Sequence, residues 1–216
     1  MALPREIGAT ARILSFRPAK EAANEARHRE DFDCLNAQIE AGRRFVSALD
    51  ALSRCRQLEP SESEMMDALD RALGCAVEAT RANDAALLVM DESGGDLVFV
   101  LVHGEVPEKK LLWQRVPPGR GVAHWVAAHR RAAIVNSTLN DERFYRGIDI
   151  ASGFQTRSIV AVPLIHADKV LGVIEVLNKK NGEFFALSDQ NHLTVLAHLA
   201  SALLIRLRER WAEELT

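Results

Sequence analysis

The chain has 216 residues, 48% of them hydrophobic, and a net charge of −3, which is enough material for one buried core with a helical extension. Its mild acidity supplies no bulk attraction to nucleic acid or to an anionic membrane. No apolar run reaches the roughly 18 residues of a membrane span, and the first residues lack the apolar centre of a secretion signal, so a cytoplasmic protein is expected.

Residues 1–18 carry Pro4 and Pro18 among scattered basic side chains and read as a flexible arm. Residues 19–57 read as a coiled-coil-like helix. Phe32, Leu35, Ile39, Gly42, Val46 and Leu49 recur there at alternating spacings of three and four, the narrow stripe of a heptad seam. Ser61 or Ser63 then caps a second helix, with acidic residues in its first turn and Met65, Leu69, Leu73 and Val77 on one apolar face.

After Asp84 the period becomes that of strands. "DAALLVMDES" and "GDLVFVLVHG" flank Ser93, Gly94 and Gly95 as a hairpin. "KKLLWQRVP" reads as a third strand, with Leu112 on one face and Leu111 and Trp113 on the other, ended by Pro117, Pro118 and Gly119. "GVAHWVAAHR" is a short helix, "AAIVN" a strand and "NDERFYRGIDIASG" an irregular segment with helical turns. "TRSIVAVPLIHADKVLGVIEVLNKK" gives two strands about a turn at Ala167 and Asp168. A long helix from about Ser188 to Arg210 carries Leu193, Leu196, Ala200, Leu203 and Leu207 at heptad spacing, followed by a tail over 211–216. The class is α+β, an antiparallel sheet between two helical ends. Two narrow seams predict a parallel homodimer whose terminal helices form a bundle. In the alternative, both seams pack on the chain's own sheet.

Little in the sequence points to covalent or metal chemistry. Cys34, Cys55 and Cys75 are odd in number, lack metal-ligand spacing and fall on helices, so three reduced thiols are expected. His124 and His129 are five apart, which does not place two ligands on one helical face. "PPGRG" lacks the Lys-Ser/Thr that follows a phosphate-binding loop. Neither a cofactor nor a metal is expected.

The strongest pattern is Asn178, Lys179, Phe185 and Asp189, followed by Gln190. With its surroundings it resembles a GAF domain, in particular those of cyclic-nucleotide phosphodiesterases and some bacterial adenylyl cyclases, whose motif has Glu where this chain has Gln190. The resemblance is close from about Pro118 to Leu207 and extends over a domain of residues 61–210. It implies a GAF-like antiparallel sheet flanked by helices, and a small-molecule pocket closed by the segment "FYRGIDIASGFQTRS". Gly147 and Gly153 would then act as bends and Phe144 or Tyr145 as wall. Thr156 stands where that pattern has a ligand-facing Thr, Ser152 replaces a second Thr, and Glu175 matches a pocket Glu; Asp149, Arg157 and Ser158 complete the implied binding set. The chain departs from the pattern at Ala86, where nucleotide binders have Ser, at His103 or Gly104 in place of Asp, and at Ile150 in place of a second acid beside Asp149. Lys179 and Asp189 are positioned to pair as a structural fastening between sheet and last helix.

The function so implied is a non-catalytic, small-molecule-sensing regulatory module for signal transduction. A cyclic nucleotide is among its candidate ligands, and the module acts through its dimer helices on a separate effector or within a larger protein. The alternative is a ligand-free dimerisation scaffold with a vestigial pocket. Cysteine-based reduction of methionine sulfoxide, known in some GAF-like enzymes, is disfavoured because no cysteine falls near the pocket.

Overall fold

The computed structural model describes residues 42–54 and 60–214, apart from 92, 94, 106 and 107, with isolated positions at 27, 29, 36 and 40. The chain divides into two units, Met1–Gly42 and Arg43–Thr216. The described positions of the first unit are helical. The expected arm, the seam residues Phe32, Leu35 and Ile39, and Cys34 and Cys55 lie outside the described residues.

The second unit begins with a helix, α1 (residues 43–54). It continues through α2 (Glu62–Thr80), β1 (Ala82–Met90), β2 (Leu97–His103), α3 (Glu108–Leu111), β3 (Arg115–Val116), α4 (Gly121–His129), β4 (Ala133–Val135), α5 (Gly147–Ser152), β5 (Ile159–His166), β6 (Lys169–Lys179) and α6 (Leu187–Glu214). The six strands form one sheet in the order β3-β2-β1-β6-β5-β4, and every pairing is antiparallel.

Local chemistry starts and ends these elements where the sequence suggests. Ser61 caps α2 reciprocally: its hydroxyl accepts from the Glu64 N–H at 3.3 Å, and the Glu64 carboxylate accepts from the Ser61 N–H at 2.7 Å. The β5–β6 turn holds Ala167 and Asp168 both at positive φ, 44° and 63°, the left-handed pair that matches strand twist. In the β1–β2 turn, Asp91 accepts from the Ser93 N–H and hydroxyl at 3.0 and 2.7 Å. Arg115 of β3 reaches Asp91 and Asp96 at 2.5 and 3.0 Å and ties the edge strand to that turn.

Strand alternation sorts the apolar residues into two cores. On one face Leu87, Val162, Ile174 and Val176 pack against α2 and α6. On the other, Leu88, Ile159, Val173 and Leu177 pack against α4 and the segment carrying α5. Gly172 lets β6 pass close to β1, since a Cβ there would stand 2.0 Å from the Leu88 carbonyl oxygen.

Two sequence expectations change. The predicted third strand is mostly a helical turn: Leu112 N–H donates to the Glu108 carbonyl at 2.9 Å and only Arg115–Val116 is strand. Trp113 sits at φ 69° and is 72% exposed while Leu111 is buried, so the two do not share a face. The heptad positions of α6 also belong to a broader face. Leu193, Leu196, Ala200, Leu203 and Leu207 are all buried in the chain's own core, together with Ala197 and Leu204, because a helix lying on a sheet needs a wider apolar stripe than a two-helix zipper. In α1 the face turned inward is Phe45, Ala48, Leu49 and Leu52, and Val46 of the expected seam is 64% exposed. Among the described residues no helix is long and apolar enough to cross a membrane.

Candidate functional site

The site lies on the α4 face of the sheet, beneath the segment from Asp141 to Ser158. The first turn of that lid is anchored by Arg143, whose guanidinium donates to both oxygens of Asp141 at 2.9 and 2.6 Å and lies 4.6 Å above the Trp125 ring of α4. These contacts hold the Asp141 acid below its ordinary range, the Arg143 hydrogen bonds first. The lid then enters α5, which ends at Gly153 with φ 75°, a left-handed stop for which glycine is suited.

The return from α5 to β5 is fastened by side chains. Asp149 accepts from the Thr156 N–H at 2.8 Å and from its hydroxyl at 2.7 Å. Asn178, at φ 60°, accepts from the Arg157 N–H at 2.7 Å and donates to the Gln155 carbonyl at 3.0 Å. Its neighbour Lys179 holds both oxygens of Asp189 at 2.9 and 2.8 Å, with both side chains more than nine-tenths buried. Asp189 also accepts from the Ala186 N–H at 2.8 Å, and Asn136 accepts from the Phe185 N–H at 2.7 Å and donates to the Phe185 carbonyl at 3.1 Å. The motif Asn178, Lys179, Phe185, Asp189 therefore joins the lid return, the end of β6 and the start of α6.

Under the lid is a cavity of about 60 Å³, walled mainly by apolar side chains such as Leu88, Phe99, Ile148, Phe154 and Leu177. Its polar lining comes from Asp149, Thr156 and Glu175, with the Tyr145 side chain on the lid side. Glu175 projects from the middle of β6, between Ala86 of β1 and Ala161 of β5 in the strand register. Neither neighbour has a side chain that can hydrogen-bond, and burial pushes the Glu175 acid up from 4.5 to about 7.

The structure thus gathers Phe144, Tyr145, Asp149, Thr156 and Glu175 around one cavity, with Ala86 beside Glu175 on the same face. The remaining expected residues stand elsewhere. Ser152 is buried and bonded within its own turn, donating to the Ile148 carbonyl at 2.8 Å and accepting from the Phe154 N–H at 3.2 Å. Arg157 exposes its side chain, and the Ser158 hydroxyl accepts from the Lys179 N–H at 3.1 Å. His103 lies on the opposite side of the sheet against α2, its ring beside Gly74 and its Nδ1 3.6 Å from Asp70; a register shift between Leu87 and Leu88 offsets the strand pairing there. Ile150 is 81% exposed and turned away from the cavity. The apolar wall was the part the motif reading missed, although the strand alternation that puts Leu88, Phe99 and Leu177 on the Glu175 face carried the signal.

A second cleft of about 270 Å³ lies outside the lid, along α4 and residues 142–145. His124 and His129 hydrogen-bond to the Val116 and Trp125 carbonyls at 2.9 and 2.8 Å and Arg143 is taken up by Asp141, so these polar side chains are already matched. No group of His, Cys, Asp and Glu among the described residues is placed to hold a metal. Cys75 lies away from the lid, its thiol donating to the Arg44 carbonyl and its acid raised chiefly by burial.

A sheet covered on one face by helices and roofed on the other by a lid over a small recess defines the α+β class of this domain. Residues 62–204 match the family model described as GAF domain, and the chain belongs to that family. Among curated relatives it is 30% identical over 121 residues to the probable 3',5'-cyclic phosphodiesterase pde-5 of Caenorhabditis elegans, a match covering 56% of this chain and 16% of that protein. It is 32% identical over 81 residues to the dual 3',5'-cyclic-AMP and -GMP phosphodiesterase 11A of Takifugu rubripes, covering 37% of this chain and 9% of that one. The chain therefore corresponds to a small fraction of these relatives. Among solved structures, the GAF domain of a phosphoenolpyruvate-protein phosphotransferase from Coxiella burnetii superposes with a TM-score of 0.65 at 17% identity, covering 78% of this chain and 96% of that one. The free methionine-R-sulfoxide reductase of Neisseria meningitidis, in complex with its substrate, superposes with a TM-score of 0.57 at 18% identity, covering 77% and 93%. These likenesses establish the fold; GAF domains as a class are small-molecule-sensing regulatory modules.

Proposed function

We propose that this chain is a sensory module that binds a small molecule in the recess beneath the lid and transmits its occupancy through the terminal helices, without catalysing a reaction itself. The observation that carries the reading is the apolar recess with a buried, internally unmatched Glu175 on its floor. Natural pockets pair an apolar lining with a few converging polar groups in this way. At about 60 Å³ the recess is well below the roughly 300 Å³ at the lower end of ligand pockets, so a larger guest requires the lid to shift.

A route for the signal is also built in. A guest that moves α5 changes the Asp149–Thr156 clasp. The next residues are held by Asn178, and Lys179 holds the first turn of α6. Binding alters output only as far as it favours one arrangement of these parts over another. Homodimerisation belongs to the same proposal: with the α6 seam occupied by the sheet, Val46 of α1 and Leu187 and Val195 of α6 are exposed apolar helix positions that a partner copy could cover. An effector protein, or further parts of a longer polypeptide, would receive the output.

Kinship with phosphodiesterases makes a cyclic nucleotide the natural first candidate, although the recess offers no cation to its phosphate. A ligand-free scaffold is the second reading, favoured by the small volume. Thermal melts with cyclic AMP, cyclic GMP and a panel of metabolites separate the two, because a bound guest stabilises the fold in proportion to the logarithm of its excess over Kd. A melting temperature that climbs with one of these compounds supports the sensor; a flat response to all of them supports the scaffold.

A further inference from the structure

Glu175 sets what chemistry the recess can hold. It is more than nine-tenths buried and lines the cavity, and among the described residues its carboxyl has no hydrogen-bond or ion-pair partner, because the register sets Ala86 and Ala161 on either side of it. The other titratable groups on the wall are Tyr145 and Asp149, and Asp149 is taken up by Thr156. No Lys, Arg or His is among the lining residues. Of the nearby cations, Arg143 is committed to Asp141 and Lys179 to Asp189, while Arg120, Arg146 and Arg157 are exposed.

Above about pH 7, where Glu175 is ionised, a guest bearing phosphate or carboxylate would bring a second negative charge into the recess with no lining cation to offset it. The first turn of α4 also borders the cavity at Gly121 to Ala123, and its dipole favours an acceptor atom. That partial charge is weaker than a full carboxylate acting in the same cleft. A cationic nitrogen reverses the balance, since it gives Glu175 the partner it lacks while an apolar body covers Phe99, Ile148, Phe154 and Leu177.

We infer that the recess selects a small, mainly apolar molecule with a cationic nitrogen head engaged by the Glu175 carboxylate, and disfavours guests carrying phosphate or carboxylate. This deepens the sensory reading and rests on it.

Butylamine, butanol and butyrate share a carbon chain and differ in the charge of the head group, so they test the inference on the intact protein by thermal shift at equal ionic strength. At about pH 8, where Glu175 is ionised, butylamine is expected to raise Tm with concentration, butanol to raise it less, and butyrate to have no effect. In Glu175→Gln the apparent affinity for butylamine falls at least about tenfold, while the butanol response persists and shows that the recess is still formed. The wild-type butylamine response grows from about pH 6 to about pH 8 as the carboxylate ionises. Stabilisation by butyrate or a cyclic nucleotide greater than by butylamine overturns the inference and leaves the sensory reading standing, as does a butylamine response unchanged in Glu175→Gln. No stabilisation by any of these compounds or by the metabolite panel overturns both.

Discussion

Glu175 is the residue at which local rules are broken, since a carboxyl on the buried face of a central strand lacks the hydrogen bonds that normally accompany burial. Its folded-state value of about 7 lies above the ordinary 4.5, so between those two pH values the folded chain holds a proton that the unfolded chain has released. The stability contributed by this group is therefore full below about pH 4.5 and falls by about 3 kcal/mol as pH rises through 7. Glu175→Gln should flatten that part of the stability profile, measured by urea denaturation at a series of pH values. A profile as steep in the variant as in the wild type would show that another group is responsible. The sequence showed Glu175 as a candidate and Ala86 as a departure. What it could not show is that the two stand opposite each other, because that depends on strand register; the missing hydroxyl at 86 is one reason the acid is left without a partner.

At the scale of elements, the body of α6 and its first turn are bound to the sheet by different forces. The helix is held by apolar burial, and Leu203→Ala should cost about 2–5 kcal/mol. That loss should be the same over about a hundredfold range of protein concentration, since a loss residing at a subunit interface would vary with concentration. The heptad spacing in α6 was legible in the sequence but its partner was not: period alone does not distinguish a second helix from the chain's own sheet. The start of α6 is held by charge. Removing Asp189 strands the Lys179 ammonium in a site less than a tenth exposed, so Asp189→Ala should destabilise by about 3–5 kcal/mol, with Asp189→Asn losing less because it can still accept from the Ala186 N–H. A melting curve for Asp189→Ala that overlays the wild type would contradict the fastening role. Sequence spacing pointed to this pair because a motif Lys at a strand end and an Asp in a helix first turn have few other geometries. The stretch 109–117 misled because its apolar run, Leu111, Leu112 and Trp113, is too short to separate a strand from a helical turn followed by a left-handed residue.

For the whole molecule, the class of fold followed from the run of strands between helical segments and from the GAF resemblance, and residues 62–204 belong to that family. The recess itself was less legible, since its walls come from eight separate elements brought together only by the folded sheet. In the proposed mechanism the molecule is an antiparallel platform whose one face is fixed by α2 and α6 and whose other face has a roof that opens. Sedimentation at micromolar concentration tests the assembly part, with a dimer expected and a monomer throughout the range contradicting it. The sensory claim is tested most directly by amide hydrogen exchange with and without saturating cyclic AMP, cyclic GMP or butylamine. At least one of these is expected to slow exchange over Ile148–Arg157 and to alter it at the first turn of α6. Unchanged exchange over the lid with every one of them, or protection confined to the outer cleft at Trp125 and His129, would contradict it.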